Sequence, residues 1–123
     1  MSAPWRKLKD AENAMLAKRR AGKRESETDW KRLHDLFDRC RGADDAEEAI
    51  CFHGVAALLA ERTGDFKLAL KHRMIEIEKI VWLQEEEMRN PTDGFQTQDY
   101  GSGDLEYRRI VLREVEAKLK YVG

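Results

Sequence analysis

Residues 46–62 read Ala-Glu-Glu-Ala-Ile-Cys-Phe-His-Gly-Val-Ala-Ala-Leu-Leu-Ala-Glu-Arg, and this stretch decides the fold. Ala49, Ile50, Phe52, Val55, Ala56, Ala57, Leu58, Leu59 and Ala60 leave it apolar on nearly every side. A helix that is apolar all round is enclosed by other elements rather than lying on the surface. Its alanines and Gly54 let neighbouring backbones come close. Asp44 and Asp45 precede it as capping residues, and Glu47 and Glu48 place negative charge at its positive dipole end. Gly64 supplies the left-handed residue that stops it, and Asp65 caps the next helix.

On the C-terminal side, residues 66–89 carry two apolar stripes. Phe66, Leu70, Met74, Ile77 and Val81 form one; Leu68, Ile75 and Trp82 form another at seven-residue spacing. Two stripes imply two packing partners. Asn90-Pro91 ends that helix, because the residue before proline avoids the α region. The segment 91–103 has no periodicity and holds Phe95 and Tyr100 among Gly, Ser, Thr, Gln and Asp, so it reads as a long loop. Beyond it, 104–121 carries Val111, Leu112, Val115 and Leu119 on one side, with Val122 just past its end, and reads as a C-terminal capping helix. Pairs such as Glu114–Lys118 and Glu116–Lys120 are spaced to support its other side. On the N-terminal side, the pattern predicts helices over 3–22 and 28–41, the second capped by Ser26 or Thr28.

No stretch alternates apolar and polar residues long enough to argue for a strand. The fold class is therefore all-α, about five helices in one domain spanning 1–123. Short turns make sequential helices antiparallel neighbours in a layered stack. The chain has 23 Lys+Arg against 24 Asp+Glu, a formal charge of −1, and 41% hydrophobic residues. Such interleaving argues against disorder. No run approaches the roughly 20 apolar residues of a membrane span. Met1 to Lys9 lacks the apolar core of a signal peptide, and Cys40 and Cys51 are too few for a disulfide scaffold, so a reducing, cytoplasmic location is expected.

Two segments resemble the tetratricopeptide (TPR) repeat family. Gly64-Asp65-Phe66-Lys67-Leu68-Ala69-Leu70 is similar to the family's turn into its second helix, with Ala57 at the tiny-residue position seven residues earlier. Trp30, Leu33 and Phe37 match the family's Trp, Leu and Tyr positions in a first helix, with Ala46 at the small position of the second; His34 stands where the family has Gly or Ala. The resemblance covers Thr28 to about Val81. It implies antiparallel hairpins stacked in a short right-handed array, and a ligand groove lined by first helices. Carried onto this chain, the groove positions are Thr28, Lys31, Asp35, Asp38 and Arg39 in one register, and Cys51, Gly54, Leu58, Glu61 and Arg62 in the other.

Reactive constellations are sparse. His34 with Asp38, and His72 with Glu76, lie at i, i+4 spacing, which suits a metal, but the Glu-x-x-His pairs of carboxylate-bridged bundles are absent. Cys51 and His53 supply two ligands where structural zinc needs four. A Cys–His nucleophile also needs an oxyanion donor and a cleft. Hydrogen bonding of His53 to a carbonyl or tyrosine is the expected arrangement. Gly101-Ser102-Gly103 lacks the context of a phosphate loop. No catalytic residue, metal or cofactor is therefore expected.

Charge is uneven along the chain. Residues 1–24 hold eight basic side chains against Asp10 and Glu12, net +6, leaving −7 for the rest. Lys18, Arg19, Arg20, Lys23 and Arg24 form an accessory basic patch suited to an acidic protein surface, a nucleic acid, or the chain's own acidic helices. The sequence thus predicts a non-enzymatic adaptor that docks a peptide or helix of another protein, with Lys31, Asp35, Asp38, Arg39 and Arg62 as contact residues. A nucleic-acid-associated regulator using the basic helix is the alternative. The unpartnered apolar edge of the fifth helix makes a homodimer a further expectation.

Overall fold

A computed structural model describes residues 1–90 and 102–122, with the side chains of 102–104 and 122 outside the description. Phe95, Tyr100 and the capping role of Asp104 therefore lie outside the described residues. The described chain is all-α: α1 Ala3–Arg20, α2 Glu27–Arg39, α3 Ala46–Arg62, α4 Phe66–Arg89 and α5 Ser102–Val122. Among the described residues, no helix is long and apolar enough to cross a membrane.

The caps agree with the sequence. Ser26 accepts from the Asp29 backbone N–H while Asp29 accepts from that of Ser26, a reciprocal capping box that starts α2. Asp45 accepts from Glu48 N–H at 2.8 Å, and Asp65 from Leu68 N–H at 3.1 Å. Gly64, at φ 83°, takes the left-handed conformation that a side chain resists, so α3 reverses into α4 within three residues. The sequence had α1 and α2 each two residues longer at the C-terminus; they end at Arg20 and Arg39.

α3 packs against α4 along most of its length and also touches α1 and α2, so the apolar segment is enclosed by its neighbours. The enclosure is incomplete, because Phe52 remains 37% exposed. Successive helices run antiparallel. Ile50 meets Ile80, Leu83 and Leu105 near one end, whereas Ala60 meets Ala69 and Val115 near the other. A separate cluster joins α1, α2 and α3 through Trp5, Leu8, Met15, Leu33, Val55 and Leu58.

The buried strip of α4 differs from both stripes expected of it. Ala69, Arg73, Glu76, Ile80 and Leu83 are its buried residues. The first stripe lies half-buried beside this strip, with Met74 out in solvent, and the second is largely open. The reason is that α4 places charge, rather than only hydrocarbon, at the centre of the core. Arg73 Nη1 donates to Glu76 Oε1 at 2.8 Å, and Arg108 Nε of α5 donates to Glu76 Oε2 at 3.2 Å. Glu12 of α1 lies beside them over Gly54 of α3; all four charged side chains are buried. A Cβ on residue 54 would press on both carboxylates closer than real Cβ atoms come, so glycine is what lets the helices meet around them. The Glu114–Lys118 pair is also rearranged: Glu114 accepts from Arg19, and Lys118 reaches Glu61 at 3.2 Å.

Candidate partner-binding surface

The capping box and the burial of Leu33 and Leu36 set the rotation of α2, leaving Lys31, His34, Asp35, Asp38 and Arg39 outward. Lys31 and Asp35 form an exposed pair at 3.3 Å. They stand as a ridge between two concavities. One, of about 330 Å³, is lined by Thr28, Lys31, Arg32, Asp35, Leu36 and Arg39. The other, of about 380 Å³, has Trp30 and Leu59 as its apolar lining, with Glu27, Lys31, His34, Asp35, Arg62 and Thr63 around them. Four of the five expected contact residues thus border one or both hollows. Asp38 borders neither and pairs with His34 at 3.2 Å. Of the alternative strip, Cys51 and Gly54 are buried, whereas Leu58, Glu61 and Arg62 line a further cleft.

Arg62 links this groove to a third concavity. Its guanidinium lies over the Trp30 ring, 4.9 Å from the centroid, and it also pairs with Glu27. Trp30 and Arg62 then border a cleft of about 490 Å³ together with Arg19, Lys23, Arg24, Glu25, Glu61 and Lys118. Five cations against two carboxylates make this lining basic.

The accessory patch itself is divided. Lys18 pairs with Asp29 at 2.6 Å, and this hydrogen bond, aided by Ser26 N–H, lowers the Asp29 carboxyl to about 2. Arg19 makes two 2.8 Å bonds to Glu61 and a third to Glu114. Burial alone would raise Glu61, but Arg19 and Lys118 outweigh it and hold the carboxyl below its ordinary value. Arg20 lies over the Tyr107 ring. Much of the basic excess of α1 is therefore spent on the chain's own acidic helices, while Lys23 and Arg24 stay exposed at the cleft.

The histidines rearrange in space. His72 turns away from Glu76, which the arginines occupy, and its Nδ1 lies 3.0 Å from His53 Nδ1 across the α3–α4 contact. His53 therefore has an imidazole as its partner, in place of the carbonyl or tyrosine expected. Phe52 approaches both rings edge-on and stacks on Phe37. Burial lowers both histidines, reinforced by His72 and Lys79 at His53 and by Lys71 at His72. Cys51 is buried on the α1 side of α3, and burial followed by the Glu12 charge pushes its thiol well up, keeping it protonated. Among the described residues, no three His, Cys, Asp or Glu side chains gather where a metal ion would sit.

The residues overlooked in the sequence are Trp30 and Leu59 as groove lining and the Glu12–Arg73–Glu76–Arg108 cluster as core. The first pair was legible as apolar residues at the α2–α3 boundary. The second had a signal too, since Arg73 and Glu76 are spaced i, i+3 on α4 between apolar neighbours. Compared with known proteins, the chain matches no protein-family model, no curated protein and no solved structure.

Proposed function

We propose that this chain is a protein-interaction module that docks a peptide or helix of another protein in the α2–α3 groove. The observation that carries the reading is the juxtaposition of Trp30 and Leu59 with Lys31, Asp35 and Arg62 around one open concavity. Apolar anchors enter such hollows, while charged walls fix orientation and exclude wrong partners. The adjoining basic cleft favours a ligand whose anchor residue is flanked by acidic side chains. The resemblance of Trp30, Leu33 and Phe37 to a TPR first helix supports the same reading, since that register lines the groove with Lys31, Asp35 and Arg39. A short TPR-like array acting as an adaptor, in a cytoplasmic setting, is the form this proposal takes.

The test is selection from a peptide-display library on the wild-type chain, followed by affinity measurement on a Lys31→Glu/Asp35→Lys/Arg62→Glu variant. These three residues lie outside the buried core, and since Arg62 also pairs with Glu27, an unchanged far-UV spectrum and unchanged α2 amide resonances are required of the variant before its affinities are read. Selected peptides should share an apolar anchor with neighbouring Asp or Glu, bind the variant at least tenfold more weakly, and perturb amide resonances of α2 and α3. Peptides that bind both proteins equally would refute the proposal.

A further inference from the structure

The histidine pair between α3 and α4 takes no part in the groove. His53 Nδ1 lies 3.0 Å from His72 Nδ1. As a hydrogen bond, one Nδ1–H donates to the lone pair of the other, so both nitrogens already aim into the same gap. The gap is held from both helices: α3 and α4 pack along most of their length, and Phe52 stands edge-on to both rings. Both side chains are half-buried, which leaves them a solvent-facing side. Burial, together with His72 and Lys79 beside His53 and Lys71 beside His72, lowers both pKa values, so the rings are neutral near about pH 7. Neutral imidazole is the form that binds a metal.

We propose that His53 and His72 form a two-imidazole site for a divalent first-row metal ion, best suited to Ni²⁺ or Cu²⁺. An imidazole nitrogen sits about 2.0–2.1 Å from such an ion. An ion at that distance from both Nδ1 atoms subtends about 90–97° between them at the observed separation. That is the angle between neighbouring ligands in square-planar and octahedral sites, and it is tighter than the tetrahedral angle zinc favours. The ion lies about 1.4 Å to the solvent side of the line joining the nitrogens, and each ring turns towards it. The ring that donated its Nδ1–H shifts to the Nε2–H tautomer through solvent, so both Nδ1 lone pairs reach the ion without net proton release. Among the described residues no third ligating side chain gathers there, so water fills the remaining positions, and Lys71 and Lys79 oppose a cation. Both features hold the affinity to the micromolar range, below that of a four-ligand structural site. The site uses none of the groove residues and stands independently of the function proposed above.

Isothermal titration of the full chain with nickel chloride at about pH 7.5 tests this. The wild type should take up one ion per chain with a Kd of about 1–50 μM, and His53→Gln and His72→Gln should each raise that Kd roughly tenfold or more. His34→Gln and Cys40→Ser, which remove other accessible donors, should leave it within about twofold. Far-UV spectra of all four variants should match the wild type. In the wild-type chain itself, sub-stoichiometric Ni²⁺ should broaden amide resonances near residues 53 and 72 before those near His34. Saturating Ni²⁺ should raise Tm by about 5 °C or more, and excess chelator should reverse the rise. A wild type that binds no tighter than about 200 μM would overturn the proposal. So would uptake that either histidine substitution leaves unchanged, or broadening centred elsewhere on the chain.

Discussion

Replacing Gly54 by alanine isolates the demand that the buried charges place on the core. In an ordinary helix interior the change stabilises by about 1 kcal/mol, because glycine is the poorer helix former. Here the new methyl would occupy the space of Glu12 Oε2 and Glu76 Oε2. Carboxylate ends normally swing aside at little cost. These two are 2% and 0% exposed, and Glu76 is held from both sides by Arg73 and Arg108. Moving it loosens a buried ion pair whose complete loss costs about 3–5 kcal/mol. Arg73 Nη2 also lies 3.5 Å from the Gly54 carbonyl, so the strain reaches both ends of the cluster. Subtracting the propensity gain leaves a net loss that reaches about 2–4 kcal/mol when the pair is lost completely. For a domain of this size that lowers Tm by roughly 6–16 °C. Urea and thermal melts monitored by circular dichroism at 222 nm provide the measurement. An alanine variant that melts at or above the wild type would show that helix propensity governs the site and would refute the packing argument.

Three other perturbations have defined outcomes. Glu76→Ala should destabilise by about 3–5 kcal/mol in urea, because it leaves two guanidinium groups buried without their shared carboxylate; a loss below about 1 kcal/mol would contradict the central role given to Glu76. Ser26→Ala removes one half of the capping box and should cost about 1 kcal/mol, read as a lower urea midpoint at constant slope. The histidine pair sets a pH dependence: folding lowers both pKa values, so the unfolded chain binds more protons as pH drops through the ordinary histidine range. Stability should be complete above about pH 7 and decline towards pH 5.5, and His53→Gln should flatten that decline; equal slopes in the two proteins would remove the pair as its source.

Element types, their order and three helix starts were legible, because they rest on local chemistry. Asp45, Asp65 and Ser26 are capping residues wherever they precede a helical pattern, and Gly64 permits the tight reversal. The enclosure of α3 was legible for the same reason, being a property of one segment. The partners of charged side chains were not. Periodicity ranks positions by hydropathy and therefore left Arg73 and Glu76 out of both apolar stripes, although mutual neutralisation across α4 and α5 lets both be buried. Long-range pairing likewise decided Arg19, which chose Glu61 and Glu114 over solvent, and His72, which left its helical neighbour Glu76 for His53. The positions proposed for contact, Lys31, Asp35, Arg39 and Arg62, came from the family resemblance, and the structure sets them around two hollows. Trp30 joined them only once the α2–α3 spacing was known.

The location of the charged cluster bears on how the proposed groove works. Glu12, Gly54, Arg73, Glu76 and Arg108 come from α1, α3, α4 and α5 and meet at one level of the core. Sliding any of these helices by a turn would bury similar hydrocarbon but separate the charges, so the cluster fixes their register. α2 contributes nothing to it. Only Leu33 and Leu36 of α2 are fully buried, and surface ion pairs, Lys18–Asp29 and Glu27–Arg62, help to hold its first turn. Such pairs hold weakly and weaken further as salt screens them. The groove is thus bounded by a fixed wall, α3, and a lightly anchored one, α2, which suits a surface that adjusts to the ligand it accepts. Hydrogen exchange should therefore find α2 less protected than α3 and α4, with the gap widening in about 0.5 M salt, a concentration at which the Debye length falls to about 4 Å. Uniform protection across the three helices at both salt concentrations would make α2 part of the rigid unit and leave the groove with no means of adapting.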